Sequence, residues 1–122
     1  MPLPIERLRT TVLAQLTDRE THSCVVYLAT AGVVRGEQLS TPRLTFACPW
    51  DGYLTFVDLD PMANWGHACC YICIEPTTGE THRIDAQFPP FGPHKADRPS
   101  REWQVIYRAP AVPETLVTIQ EP

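Results

Sequence analysis

The order of the structural patterns along the chain is the feature that most constrains its fold. One amphipathic helical pattern lies at the amino end, and every later apolar segment has the length and composition of a strand. Hairpin-type turns separate these segments, with no second helical pattern between them. This order excludes a parallel α/β sheet. It predicts an α+β fold in which one amphipathic helix packs on a curved, mainly antiparallel sheet of about six to seven short strands.

The predicted helix covers residues 4–16. Its apolar side chains recur at helical spacing, namely Ile5, Leu8, Val12, Leu13 and Leu16. Pro4 suits the first turn because a backbone amide would have no partner there. The polar pair Thr17 and Asp18 is expected to end the helix.

The strand predictions rest on runs of branched and aromatic residues between turns. The predicted strands are residues 24–29, 43–48, 53–59, 67–74, 81–88, 103–107 and 115–119. The first is apolar throughout, which indicates burial on both faces. Residues 36–42 are interpreted as a loop or irregular edge, and residues 89–102 as a long surface loop.

Two turns predict hairpins. Residues 49–52 would join the second and third strands, with Gly52 available for a positive φ angle and Cys48 on the core face beside Tyr53. A four-residue turn at 76–79 would place Cys73 opposite His82 in the second hairpin.

Length and charge limit the functional classes. A chain of 122 residues predicts a single domain spanning 1–122. The net charge of −4 argues against a nucleic-acid partner, which would require a basic face. No apolar window approaches the length of a membrane span, so no membrane partner is expected.

The five cysteines are predicted to be reduced thiols. The amino terminus lacks the pattern of a secretion signal, and an odd number of cysteines leaves at least one unpaired. Reduced thiols are typical of the cytoplasm, which is the predicted location.

Three of these cysteines lie close together, at Cys69, Cys70 and Cys73. On a strand, Cys69 and Cys73 would be about 13 Å apart and Cys70 would point to the opposite face, so one ion could not bind them all. No metal or cofactor is therefore predicted. An alternative is a cysteine-dependent hydrolase or transferase in which Cys69 or Cys73 pairs with His67 or His82. Burial as small apolar side chains is the favoured interpretation.

Polar residues cluster after the third strand. They are Asp58, Asp60, Asn64, Trp65 and His67. Two carboxylates, an amide and an imidazole could form a cation site or an acid–base pair. The favoured interpretation is that such short polar side chains end strands through bonds to the local backbone. This loop is the first place at which we expect a binding site.

A second candidate surface is rich in proline and phenylalanine. Phe88 and Phe91 flank Pro89 and Pro90, and such segments can lie extended against a partner. They could instead cover the open end of their own sheet.

The turn at residues 71–80 carries the sequence YICIEPTTGE. It resembles the closing hairpin of PepSY-type domains, in which an acidic residue precedes a Thr-Gly-Glu turn. The resemblance covers these ten residues. It implies a small α+β domain of the kind found in propeptides and implicated in peptidase inhibition.

The sequence as a whole predicts a non-catalytic domain that binds another protein or peptide, as an adaptor or inhibitor would. The cysteine-dependent enzyme is the first alternative. The second is a small-ligand-binding domain with an apolar pocket between helix and sheet, lined by Phe46, Tyr53 and Tyr71. Pairing of exposed sheet edges between two copies, to form a homodimer, is a further alternative.

Overall fold

The computed structural model describes residues 3–41, 44–63, 67–90 and 102–113. Its elements are α1 (Ile5–Leu13), α2 (Asp18–Thr21), β1 (Val25–Ala29), β2 (Gln38–Thr41), β3 (Leu44–Ala47), β4 (Tyr53–Asp58), β5 (Cys69–Ile74), β6 (Thr81–Ala86) and β7 (Trp103–Arg108). The predicted α+β class is confirmed. The predicted strand at 115–119 and most of the predicted loop at 89–102 lie outside the described residues.

Two antiparallel sheets organise the strands. The larger has the order β6-β5-β4-β1-β7, and β2 pairs with β3 in a separate two-stranded sheet. The β1–β7 pairing shifts register between Val26 and Tyr27. The described residues form seven strands, divided between a five-stranded and a two-stranded sheet where one sheet of about six to seven strands was predicted, and curvature of the sheet stays a prediction.

The larger sheet is covered on both faces. On one face, Leu8 and Val12 of α1 pack with a cluster that includes Val26, Val57 and Ile72. This explains the helical spacing of the apolar residues in α1, because only that stripe meets the sheet. The prediction that β1 is buried on both faces is confirmed, since all five of its residues are buried.

The β2–β3 pair covers the opposite face of the sheet. Leu39 and Phe46, which are cross-strand partners, pack against a cluster that contains Tyr27, Phe56 and Tyr71. The aromatic rings of this cluster are in contact, with centroids of Phe56 and Tyr71 5.3 Å apart. The described residues therefore form three layers: helix, five-stranded sheet and β2–β3 pair.

A second helical turn follows the predicted end of α1. The hydroxyl of Thr17 accepts a hydrogen bond from the Glu20 amide at 3.1 Å, and the Glu20 carboxylate accepts one from the Thr17 amide at 3.0 Å. This capping box begins α2. Arg83 of β6 holds the short helix in place through two hydrogen bonds to Glu20, of 3.1 and 3.0 Å.

The predicted hairpin between residues 43–48 and 53–59 is wrong. β3 pairs with β2, and β4 pairs with β1 and β5. Consequently Phe46 packs with Leu54 and Phe56, not on the face of Tyr53 as expected. The reason is burial: both edges of β4 pair with long strands of the large sheet, β1 and β5, so no edge remains for β3. Residues 38–41, expected to be a loop or irregular edge, form β2.

Gly52 has a different role from the one predicted. Its φ angle is not positive; among the described glycines, positive values occur at Gly36 and Gly79. Instead its backbone bonds to Val33 in both directions and lies against β5, where a Cβ atom would overlap the Ile74 carbonyl oxygen. Glycine is required here because two backbones approach closely.

Candidate functional site

Two residues of the predicted polar loop contact each other. His67 donates a hydrogen bond from Nε2 to Oδ1 of Asp58 at 2.7 Å, and Asp58 is only 4% exposed. The same carboxylate oxygen accepts the Asp60 amide at 3.1 Å. The side chain of Asp60 is exposed at this position. Asn64 and Trp65 lie outside the described residues.

The Asp58–His67 pair ties the loop after β4 to the sheet. The backbone amide of His67 also donates to the carbonyl of Gln87 at 2.8 Å, beyond the end of β6. A carboxylate in this position fixes the tautomer and orientation of the imidazole. The geometry is compatible with acid–base chemistry, but it also satisfies a buried carboxylate, and that structural role is complete without a substrate.

Cys69 lies next to this pair without being activated by it. Cys69 is the cross-strand partner of Asp58 and is 1% exposed. Burial raises the pKa of its thiol to about 12, and the nearby carboxylates of Asp58 and Asp85 act in the same direction. A nucleophilic cysteine needs the opposite shift. The thiol is therefore protonated at neutral pH.

Cys73 is joined to Cys48 by a disulfide, with a Cα–Cα distance of 6.0 Å. This contradicts the prediction that all five cysteines are thiols. The predicted register is confirmed, because Cys73 lies opposite His82. However, the sulfur of Cys73 is bonded to Cys48 while His82 is exposed, so the expected Cys–His contact has no thiol.

Strand alternation separates the cysteines as predicted. Cys69 and Cys73 belong to the cluster on the β2–β3 side of the sheet, and Cys70 belongs to the cluster beneath α1. Within the described ranges, no three histidine, cysteine or acidic side chains lie close enough to hold a metal ion.

A cleft of about 530 Å³ opens between the β2–β3 pair and the large sheet. Its described lining consists of Thr30, Ala31, Glu37, Gln38, Leu39, Ser40, Phe46, Leu54, Tyr71, Pro90, Glu102 and Trp103. Phe46 and Tyr71, two of the three residues expected to line a pocket, contact each other here with ring centroids 4.9 Å apart. The cleft lies on the face of the sheet away from α1. Tyr53, the third, packs on the helix side, where its hydroxyl accepts the Leu3 amide at 2.7 Å.

The outer edge of β2 forms one wall of the cleft. Gln38, Leu39 and Ser40 all line it. Successive side chains of a strand point to opposite faces, so three consecutive lining residues indicate that the strand presents its edge. In the part of the chain that the structure describes, β2 pairs only with β3. Its outward backbone groups are therefore available to a ligand.

Two carboxylates flank the cleft, one on each wall. Glu37 precedes β2, is half-buried and accepts the Val34 amide at 3.2 Å. Glu102 precedes β7 and is exposed, and its backbone carbonyl accepts the Thr30 amide at 3.0 Å. Among the described lining residues there is no lysine, arginine or histidine.

The proline-rich segment reaches the cleft at Pro90. Before it, Phe88 is half-buried and its carbonyl accepts the Tyr71 hydroxyl at 3.1 Å. Phe91 lies outside the described residues.

Three parts of the cleft were not predicted from the sequence, namely β2, Glu102 and Trp103. The available signal was weak, because the β2 sequence QLST lacks the branched and aromatic run used to identify strands.

Trp103 combines a cleft position with a buried polar atom. The residue is 7% exposed, and its indole nitrogen has no hydrogen-bond partner within the described residues.

No helix in the described residues is long and apolar enough to cross a membrane. No family model matches the sequence, and no curated protein or solved structure is significantly similar to it.

Proposed function

We propose that this chain is a non-catalytic peptide-binding domain that holds an extended segment of another protein in the cleft beside β2. The observation that carries the proposal is the outer edge of β2 facing a cleft with an aromatic floor. A sheet edge offers backbone donors and acceptors to an incoming strand. Phe46, which is half-buried, and the exposed part of Trp103 offer apolar surface to the side chains of that strand.

Affinity and selectivity would come from different parts of this site. Backbone bonds to β2 would hold a segment of any sequence in an extended conformation. Every second side chain of that segment would point into the cleft, because strand side chains alternate. A cleft of about 530 Å³ suits one or two large side chains.

The same volume supports a second candidate function, the binding of a small organic ligand. Small-molecule sites usually measure about 300–1,000 Å³, which includes this cleft. The two functions differ in their dependence on the ligand backbone. A small ligand needs no strand, whereas the proposed peptide loses affinity when its amides are blocked.

The buried cysteines give little support to the enzyme alternative. Cys73 is bonded to Cys48, and the thiol of Cys69 has a raised pKa. Inhibition of a peptidase, a homodimer and a cytoplasmic location stay predictions. The disulfide weakens the argument from reduced thiols on which the cytoplasmic prediction rested.

The proposal is tested by selecting binders from a display library of short random peptides and scanning a selected peptide with N-methyl amides. Pairing with β2 predicts that affinity falls at every second position, because alternate residues bond to the neighbouring strand. Uniform tolerance of N-methylation would refute strand pairing. Recovery of no peptide would refute the function itself.

A pair of variants locates the binding surface. Ser40→Tyr adds a ring at the exposed wall of the cleft and is expected to reduce peptide affinity at least about tenfold by occupying the space. Thr45→Tyr is the matched control, because Thr45 is the exposed cross-strand partner of Ser40 and does not line the cleft. Equal loss in both variants would place the site elsewhere.

A further inference from the structure

The electrostatic character of the cleft restricts which side chain it can anchor. Its described lining includes two carboxylates, those of Glu37 and Glu102, and no basic group. The whole chain carries a formal charge of −4, which favours the approach of a cation. An acidic side chain entering the cleft would meet like charge on both walls.

Glu102 is the better placed of the two carboxylates. Glu37 already accepts the Val34 amide, so part of its hydrogen-bonding capacity is used. Glu102 is held at the start of β7 by its backbone carbonyl, which accepts the Thr30 amide. Within the described residues its side chain forms no ion pair. It is therefore available to a ligand at the rim of the cleft.

The floor of the cleft suits the rest of a long cationic side chain. Half-buried Phe46 and the 7% of Trp103 that is exposed present aromatic surface, whereas Leu54 and Tyr71 are only 2% and 1% exposed. Lysine and arginine have apolar stems that pack on such surfaces while the charged head stays near water. Aromatic ring faces also attract cations directly.

We propose that the cleft selects extended segments whose anchoring side chain is lysine or arginine. The stem lies against Phe46 and the exposed part of Trp103, and the cationic head lies beside Glu102. This inference rests on the proposed peptide-binding function and names the chemistry of its ligand.

The test uses four capped peptides of the sequence Thr-Val-Thr-Xaa-Thr-Val-Thr, in which Xaa is lysine, arginine, norleucine or glutamate. Binding is followed by nuclear magnetic resonance titration of the intact chain at low and high salt. Lysine and arginine peptides are expected to bind more tightly than the norleucine peptide, with a difference that shrinks in high salt. The glutamate peptide should bind most weakly.

A charge-matched pair of variants assigns the effect to the cleft. Glu102→Gln should weaken the lysine peptide by about three- to fivefold, as expected for an exposed ion pair, and leave the norleucine peptide unchanged. Glu6→Gln makes the same charge change on α1, on the other face of the sheet, and should have no effect.

The outcomes separate this inference from the function beneath it. Norleucine binding as tightly as lysine, or equal losses in Glu102→Gln and Glu6→Gln, would overturn the cationic anchor and leave peptide binding intact. If none of the four peptides binds while a library-selected peptide does, the cationic anchor fails and peptide binding stands; if the library also gives no binder, both proposals fail. Butylammonium binding as tightly as the lysine peptide would refute the proposal that the ligand is a peptide. It would identify a small organic cation as the ligand.

Discussion

Removing the Cys48–Cys73 disulfide should destabilise the domain strongly. The bond links the end of the β2–β3 pair to β5, across a sequence separation of 25 residues. For a closed loop of that length, the chain-entropy model gives about 3.5 kcal/mol at 25 °C, because the unfolded chain regains the freedom that the bond removed. In a chain of 122 residues this corresponds to a fall in Tm of roughly 10–15 °C.

The assay is thermal unfolding of the native chain with and without a phosphine reductant, beside the double variant Cys48→Ala, Cys73→Ala. The reduced chain and the double variant should both unfold at the lower temperature, and the reductant should leave the variant unchanged. Alanine is chosen because both cysteines are buried and a serine hydroxyl would be left without a partner.

Thiol counting checks the premise. The unfolded, unreduced chain should show the three thiols of Cys24, Cys69 and Cys70, and the reduced chain should show five. Five thiols before reduction would show that the bond does not form. An unchanged Tm after reduction confirmed by intact mass would refute the reasoning from loop entropy.

Three further predictions follow from other contacts. Arg83→Met should lower the free energy of unfolding by about 1 kcal/mol at neutral pH by removing the bond to Glu20. The hydrogen bond from Arg83 lowers the pKa of Glu20 from 4.5, so this contribution is present above that pH and is lost on acidification. The unfolding free energies of the two proteins, measured by urea titration, should therefore converge in acid. Gly52→Ala should lower the free energy of unfolding by about 2–4 kcal/mol, because the added Cβ overlaps the Ile74 carbonyl. Gly79→Ala has open space around it and a φ of 77°, and should lower it by about 1 kcal/mol. Equal losses in chemical denaturation would contradict the close approach at Gly52. Burial raises the pKa values of the Cys24, Cys69 and Cys70 thiols to about 12, so these thiols should resist iodoacetamide near neutral pH until the chain unfolds. Labelling is measured by mass spectrometry. Rapid labelling of one thiol in the native state would support the enzyme alternative.

The parts of the fold set by local chemistry were predictable from the sequence. The β5–β6 hairpin followed from the turn at 76–79, so the register that places Cys73 opposite His82 was also predictable. The helix followed from its apolar stripe, and the capping box of Thr17 and Glu20 that begins α2 is a signal of the same local kind. In these cases the deciding interactions lie a few residues apart.

The parts set by long-range packing were not predictable in the same way. A turn signal at 49–52 suggested pairing of β3 with β4, but burial of β4 between β1 and β5 outweighs that local preference. The disulfide joins residues from different layers, and no spacing rule identifies Cys48 and Cys73 as partners. The cleft depends on the placement of β2, so Glu102 and Trp103 could not be recognised before the layers were known.

The separate hydrogen-bond ladder of the β2–β3 pair has a dynamic consequence. This ladder has four residue pairs and, in the described part of the chain, is not continuous with that of the larger sheet. Short units of this kind open independently of the rest of a fold, so backbone amides in β2 should exchange with solvent faster than those in β4 and β5. The proposed binding edge thus belongs to a segment that should open more readily than the larger sheet, and an occupied cleft should slow its amide exchange.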